Sequence, residues 1–439
     1  MADTSGEITH RRVVRIAFPI ALSNVTVPIL GLVDTGVIGQ LGSAAMIGAV
    51  GIGAIILSSV YWIFGFLRMG TTGLTSQAYG AGKHGEVAAM LTRALIIGLA
   101  GGIAVIALQT PVFWAYFQLS PASAEVETMA QTYMRIRVWS APAMIALFGI
   151  SGWLIALERT RALMTIQVLM NGLNIGLDLW FVLGLDWGIE GVAWATFIAE
   201  WSGVSLGLWL CRDAFAQPAW RDWARVFDRA RLRLMAAVNS DILLRSLMLQ
   251  GIFVSFLFLG SKFGDVTLAA NQVLLQFFTV IAYVLDGFAF AAEALVGQAL
   301  GARNRRALRR AALLTSGWGF LFSVLLAVAF LGFGGAIIDL MVKVPEVQAE
   351  ARNYLIYSGL AAILGLGAFM LDGIFIGATR SRDMRNMMAV SLAAYVVALM
   401  ILMPVFGNHG LWLSLLISYV VRGVTLGLRY PALEALAER

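Results

Sequence analysis

The chain has 439 residues, of which 60% are hydrophobic and only 13% are charged, and its mean hydropathy is +0.83. Soluble domains contain about 45–50% apolar and about 25% charged residues, so this composition excludes an ordinary soluble protein and predicts one that crosses a membrane several times. Three histidines and a single cysteine, Cys211, exclude a histidine-based zinc or copper site and an intramolecular disulfide. We therefore expect no metal and no organic cofactor.

Twelve hydrophobic segments are long enough to cross a bilayer, which takes about 20 apolar residues per helix. Their predicted bounds are 13–41, 46–80, 86–108, 124–157, 162–184, 188–211, 233–261, 266–302, 308–332, 350–378, 384–405 and 409–429. The sequence thus predicts an all-α polytopic membrane protein with two six-helix lobes, at 1–211 and 233–439. Residues 212–232 are predicted to form an amphipathic cytosolic linker between the lobes.

Basic residues cluster before the first segment, in every even-numbered loop and at the carboxyl end, whereas the opposite loops and their edges offer only Lys262, Lys343 and Arg352. The positive-inside rule then places both termini in the cytosol. We expect a protein integral to the cytoplasmic membrane of a prokaryotic cell. This asymmetry accounts for the net charge of +6 without a nucleic-acid partner. Two exceptions, Arg135 and Arg137, are expected to pair with the glutamates that open the same segment.

The first segment carries Asp34, the only charged residue between Arg15 and Arg68. An isolated carboxylate in hydrocarbon is costly, so such a residue is a candidate functional site. Pro19 and Pro28 each remove a backbone donor from the same segment, which predicts a helix built to bend. Arg68, deep in the second segment, also needs a partner, which the sequence does not identify.

The fifth segment carries a polar stripe. Asn171, Asn174 and Asp178 are three and four residues apart, and therefore lie on one face of a helix. Counting residues from the cytosolic ends puts Asp178 and Asp34 at similar depth. Two carboxylates close together in a low dielectric cannot both ionise cheaply, which is the requirement for proton coupling. The alternative is that neighbouring amides cap Asp178 and leave it inert.

In the linker, Trp220, Trp223 and Phe227 recur at helical spacing opposite several arginines. This pattern predicts a helix that lies in the cytosolic headgroup layer and tethers the two lobes.

The second half contains further intramembrane charges. Asp286 and Glu293 are seven residues apart on one face of the eighth segment, and Asp372 lies in the tenth. For these three acids the sequence leaves open a cavity-facing function and structural hydrogen bonding. Asp241 and Arg245, four residues apart in the seventh segment, are expected to neutralise each other.

The sequence also repeats itself. Residues 77–83 resemble 298–304, and residues 152–161 resemble 373–382, both at an offset of 221. Because each half has six spans, the halves share one orientation and a pseudo-two-fold axis along the membrane normal. Parallel repeats of this kind enclose a central site in transporters that work by alternating access.

Four runs resemble the multidrug and toxic compound extrusion (MATE) family, and in particular its DinF branch. They are residues 28–39, 67–81, 171–180 and 371–380. The resemblance covers almost the whole chain. It implies twelve helices in two lobes and a cation-driven antiporter that exports small, amphipathic, often cationic organic compounds.

By this resemblance, Asp34 corresponds to the family's first-helix aspartate, whose protonation is linked to bending of that helix. Asn174, Asp178 and Thr196 correspond to a polar network in the same lobe that binds a proton, and for which a sodium ion has been proposed in some members of the family. Asp372 corresponds to an acidic position of a sodium site in another branch of the family.

In that other branch, a glutamate of the seventh helix accompanies the acid that corresponds to Asp372. This chain lacks the glutamate and has Asp241 and Arg245 in its seventh segment. This departure from the family's pattern favours proton over sodium coupling. Protonation of Asp34 would bend its helix, shrink the cavity and expel the substrate.

Other functions are compatible with parts of this pattern. A sodium-coupled drug antiporter, or a flippase for lipids or lipid-linked sugars, would have the same two-lobe architecture. A flippase would need more intramembrane arginines than Arg68 and Arg245 to hold phosphate. An enzyme is not expected, because no histidine pair, nucleophile elbow or phosphate loop is present. A monomer in the lipid bilayer is sufficient for this architecture.

Overall fold

The computed structural model describes residues 7–40, 43–119 and 123–438, with all of their side chains except those of residues 25, 27–35, 38, 44 and 119. The described chain is almost entirely helical and contains no strand. Its α-helices are α1 His10–Gly39, α2 Ala44–Trp62, α3 Phe66–Gly80, α4 His84–Ala107, α5 Gln109–Leu119, α6 Ala124–Arg137, α7 Ala141–Ala156, α8 Thr160–Asp178, α9 Gly188–Leu210, α10 Arg212–Phe215, α11 Trp223–Val226, α12 Arg229–Gly260, α13 Asp265–Gly301, α14 Arg305–Met341, α15 Pro345–Leu364, α16 Leu366–Gly377, α17 Ser381–Phe406 and α18 Asn408–Glu434.

Each of the twelve predicted spans coincides with one helix or with two helices in succession. Ten of them are long and apolar enough to cross a membrane, as judged on the described residues. The other two are α1, which is only partly described, and α9, where Glu190 and Glu200 lower the mean hydropathy. The ninth span is longer than predicted, because α14 continues to Met341.

The internal repeat is visible in the helix boundaries. Helices α3 and α13 end at Gly80 and Gly301, and α8 and α17 begin at Thr160 and Ser381. Both pairs are 221 residues apart, the offset of the sequence repeat. The two halves therefore share these helix boundaries as well as sequence motifs.

The turns repeat as well. Glu158 and Thr379, again 221 residues apart, have positive φ angles of 58° and 52°. The amide that follows each donates to a carbonyl five residues earlier in the preceding helix, at 2.8 Å for Arg159 and 2.9 Å for Arg380. This is the left-handed helix ending that closes the last turn of a helix. The same turn between two successive helices therefore occurs in both halves.

By internal contacts the chain divides into two compact units. The first unit contains Leu22–Thr75 and Lys83–Leu232, and the second contains the chain up to Ala21, Ser76–Gly82 and the chain from Arg233 onward. The start of α1 and the end of α3 thus pack with the second-half helices. The lobe boundaries at 211 and 233, which follow the predicted topology, stay predictions.

The second unit is centred on aromatic side chains. Phe256 and Trp412 are fully buried, and their rings meet edge to face with centroids 4.7 Å apart. The indole of Trp412 donates to the side-chain oxygen of Asn271 at 2.9 Å, and Asn271 and Asn408 exchange two amide hydrogen bonds. A buried polar pair satisfied in this way fixes α13 against α18.

Within the second unit, α3 and α13 touch backbone to backbone. A Cβ added to Gly80 would lie 2.0 Å from the carbonyl oxygen of Gln298, and one added to Gly301 would lie 2.0 Å from that of Gln77. The contact is reciprocal and joins repeat-related residues. Only glycine at both positions allows this approach.

The linker is not the single helix that the spacing of its aromatic residues predicts. It consists of α10, a 3₁₀ turn at Pro218–Arg221 and α11, and α12 begins at Arg229. Proline lacks the amide that a continuing helix requires, and Asp222 caps α11 by accepting from the Arg225 amide at 3.3 Å. The linker is therefore divided into short helical turns, although its aromatic residues recur at helical spacing.

The linker is held to α4 by a buried arginine. Arg93 is 2% exposed and donates to the carbonyls of Val226 and Arg225 at 2.8 and 2.6 Å. Its remaining guanidinium nitrogen pairs with Glu86 at 2.6 Å. Main-chain carbonyls and one carboxylate thus satisfy this cation inside the first unit.

Candidate functional site

The polar stripe predicted on the fifth span lies on α8 in the first unit. Asn174 donates from its side-chain amide to the carboxylate of Asp178, which is completely buried. One turn earlier, the amide of Gln167 donates to the side-chain oxygen of Asn171 at 3.1 Å. The spacing of three and four residues has placed these groups on one face of the helix, as predicted.

The stripe is joined to α1. The side-chain amide of Asn171 donates to the Thr26 hydroxyl oxygen at 2.6 Å, and that hydroxyl donates to the Ser23 carbonyl at 2.6 Å. Thr26 lies eight residues before Asp34 on the same helix. The polar side chains of α8 are therefore coupled to the helix that carries the first intramembrane acid.

The Asp34 side chain lies outside the part of the structure that is described, so its approach to Asp178 stays a prediction. The same holds for the side chain of Pro28. The backbone of α1 is helical from His10 to Gly39 and passes through Pro19 and Pro28.

Immediately after Asp178 the backbone changes to a π-helix, Leu179–Gly184. Such wide turns are rare and frequently lie at functional sites. Phe181 is buried in this turn and stacks on Trp187, with ring centroids 4.9 Å apart. Asp178 thus lies at a change of helix type that the sequence did not predict.

Thr196 is buried on α9, and its hydroxyl donates to the Val192 carbonyl of its own helix at 3.0 Å. The hydroxyl oxygen can still accept a hydrogen bond. Its participation in the network around Asp178 stays a prediction.

A buried ion pair that the sequence did not predict lies in the same unit. Arg137 on α6 pairs with Glu200 on α9 at 2.7 Å and donates to the Tyr133 hydroxyl at 2.6 Å. The expected pairing of Arg137 with the glutamates that open its own helix is therefore wrong. Those glutamates lie in the first turn of α6, whereas Arg137 is its last residue, so they are too far along the helix to reach it. Glu200 on α9 lies directly beside Arg137.

In the second unit, the expected pair of Asp241 and Arg245 does not form. Arg245 instead hydrogen-bonds to the buried carboxylate of Asp372 on α16, and Arg422 on α18 lies 3.8 Å from the same carboxylate. Asp241 pairs with Arg385 of α17 at 2.6 Å. Asp241 and Arg245 therefore each pair with a residue of another helix, and not with each other.

The remaining candidates lie along α13 and α3. Glu293 is 1% exposed, and its backbone approaches Gly377 so closely that a Cβ there would lie 2.4 Å from the Glu293 carbonyl oxygen. Asp286 and Arg68 are half-buried. A role of these three side chains in coupling stays a prediction.

Comparison with known proteins places the chain in a family. The MatE family model matches residues 19–180 and again residues 242–405, one match in each half. The DNA damage-inducible protein F of Escherichia coli is 40% identical over 415 residues, which cover 94% of this chain and 90% of that protein.

A probable multidrug resistance protein NorM of Pasteurella multocida is 23% identical over 98% of this chain and 95% of its own length. The fold matches that of the Vibrio cholerae MATE transporter VcmN in its bent form, with a TM-score of 0.87 and 20% identity. That match covers 98% of this chain and 97% of the other. The relatives are transporters, not enzymes, and this chain belongs to the MatE family of multidrug and toxic compound efflux transporters.

Proposed function

We propose that this transporter is a proton-coupled antiporter that exports amphipathic, cationic organic compounds by alternating access. The observation that carries the proposal is the buried carboxylate of Asp178, which Asn174 hydrogen-bonds on a stripe joined to α1 through Asn171 and Thr26. Inside a membrane, such acids mark proton and substrate pathways.

In the proposed cycle, a proton entering from outside neutralises Asp34 on α1. Loss of the charge changes the hydrogen bonding between α1 and the α8 stripe, and α1 bends at Pro19 and Pro28. The bend reduces the space for the bound cation, which leaves to the outside. Because proton and substrate compete for the same negative charge, each lowers the affinity for the other. Release of the proton to the cytosol resets the cycle.

Proton coupling is preferred to sodium coupling because of the charges in the second unit. The carboxylate of Asp372 is already neutralised by Arg245, with Arg422 3.8 Å away. Sodium, a hard cation, needs oxygen ligands, and the two guanidinium groups beside the Asp372 carboxylate repel it. The described second unit therefore offers no favourable environment for sodium at this acid.

The test is efflux of a fluorescent cationic dye from inverted vesicles, driven in turn by a proton gradient and by a sodium gradient. We expect proton-driven transport by the wild type and its loss in Asp34→Asn and Asp178→Asn. Asp265→Asn is the matched control, because Asp265 is exposed at the start of α13. Transport driven only by sodium, or retained in both buried variants, would contradict the proposal. Absence of transport under either gradient would favour a flippase.

A subtler variant tests the link between α1 and α8. Thr26→Val keeps the shape of the side chain but removes the acceptor of the Asn171 amide. A hydrogen bond contributes about 0.5–1.5 kcal/mol, so we expect proton-driven transport to fall about two- to tenfold. Thr165→Val on the exposed face of α8 is the control, because that hydroxyl bonds only its own helix. Equal rates in the two variants would argue against the link.

A further inference from the structure

A cavity of about 360 Å³ lies within the second unit, beside the starts of α1 and α14 and the end of α13. Its charged lining consists of Arg12, Arg306 and Arg310 against a single acid, Glu7. By the predicted topology this end of the unit faces the cytosol. The cavity therefore combines surplus positive charge with a position at the inner headgroup layer.

The three arginines differ in how they are engaged. Arg12 donates to the side-chain oxygen of Gln298 at 3.0 Å, and Arg310 pairs with Glu7. Arg306 is exposed, and the described part of the chain gives it neither a hydrogen bond nor an ion pair. A guanidinium can bind a phosphate group through two parallel hydrogen bonds. The cavity thus has one such group available.

An apolar strip leads from the cavity down α14. Arg310, Leu313, Gly317 and Leu321 are three to four residues apart and share one face of the helix. Leu313 is 64% exposed and Leu321 45% exposed, and no atom lies within 4 Å of a Cβ added to Gly317. This exposed apolar face continues from the arginines along α14 toward the bilayer core.

We propose that the cavity binds the phosphate headgroup of an anionic phospholipid of the cytosolic leaflet, whose acyl chain lies along the α14 strip. Basic pockets on the cytosolic side of membrane helices recognise anionic headgroups. Soluble phosphate esters share the headgroup chemistry, but they would leave the apolar strip unused. The lipid is therefore the occupant that matches both parts of the site.

The test measures lipid binding to the purified full-length chain in detergent, by native mass spectrometry and by the thermal unfolding midpoint. Phosphatidylglycerol is the probe, with phosphatidylcholine and glycerol 3-phosphate as comparisons. We expect only phosphatidylglycerol to bind in a defined ratio and to raise the midpoint. Arg306→Gln should weaken its binding about five- to tenfold, since one basic residue near anionic lipid contributes about 1 kcal/mol.

Arg309→Gln is the matched control, because Arg309 is exposed on the same helix but does not line the cavity. It should change binding less than twofold. Equal losses in the two variants would mean diffuse charge attraction and would overturn the site. Binding of glycerol 3-phosphate as tight as that of phosphatidylglycerol would overturn the lipid as occupant. None of these measurements depends on transport, so their failure is distinct from failure of the proposed antiport.

Discussion

At the scale of single residues, several buried arginines of this transporter pair with groups on other segments of the chain. Arg245 reaches Asp372, Arg137 reaches Glu200 and Arg93 reaches linker carbonyls, each from another segment of the chain. An uncompensated charge in the interior costs more than most packing defects. Each pair therefore fixes the relative position of the helices that supply it.

Asp372→Asn tests this dependence in the second unit. The substitution leaves Arg245 and Arg422 buried without their shared carboxylate, and breaking a buried pair costs about 3–5 kcal/mol. We expect a clear fall in the thermal unfolding midpoint of the purified protein. Asp241→Asn is the control, because its partner Arg385 is partly exposed and can be solvated. Equal destabilisation by the two variants would refute the argument.

At the scale of elements, the crossing of α3 and α13 is the tightest described contact between repeat-related helices. Gly80→Ala or Gly301→Ala would place a methyl group 2.0 Å from a backbone oxygen, so one helix must move. Overpacking costs about 1–3 kcal/mol, and more where only backbone can yield. We expect lower yield of folded protein and a lower unfolding midpoint in detergent.

Gly332→Ala in α14 is the control for this crossing, because nothing lies within 4 Å of the added Cβ. Alanine is the better helix former, so this variant should be neutral or slightly more stable. If Gly80→Ala also left the unfolding midpoint unchanged, α3 and α13 would not be in the close contact described.

The linker offers a second test at this scale. Arg93→Met removes the bonds to the carbonyls of Val226 and Arg225 and leaves Glu86 without its closest cation. We expect faster tryptic cleavage between residues 221 and 233, because protease access follows local opening. Arg159→Gln, which removes an exposed pair with Asp213 of the linker, should change cleavage little. Unchanged cleavage in both variants would mean that other contacts hold the linker.

At the scale of the whole molecule, α14 sets the membrane orientation of the second half. Arg309 and Lys343 are exposed and 34 residues apart, about 50 Å along a helix at about 1.5 Å per residue. This exceeds the hydrocarbon thickness of about 30 Å, so the two residues must lie on opposite sides. The arginine-rich end should face the cytosol.

The single native cysteine makes this prediction testable. Cys211 is buried, and Cys211→Ala supplies a cysteine-free background. In intact cells, a membrane-impermeant maleimide should label the Lys343→Cys variant, and should label Arg309→Cys only after permeabilisation. The reverse pattern would invert the topology and move the proposed lipid site to the outer leaflet.

The fold was largely predictable because its signals are local. Apolar runs and charge clusters located all twelve spans, and the repeat offset of 221 recurs in helix ends and turns. The stripe from Asn171 to Asp178 follows from helical periodicity alone, and the structure places its members on one face. The break in the linker also had a local signal, Pro218, but the helical spacing of the aromatic residues favoured a continuous helix.

The sequence by itself therefore determined the membrane class, the helices of the twelve predicted spans, the duplicated halves and the polar face of α8. Only the tertiary structure decided the partners of the buried charges, such as Asp372 for Arg245 and Glu200 for Arg137. It also decided the close approach at Gly80 and the bond from α8 to Thr26. Periodicity is fixed by neighbouring residues, whereas these contacts depend on how helices distant in sequence pack together.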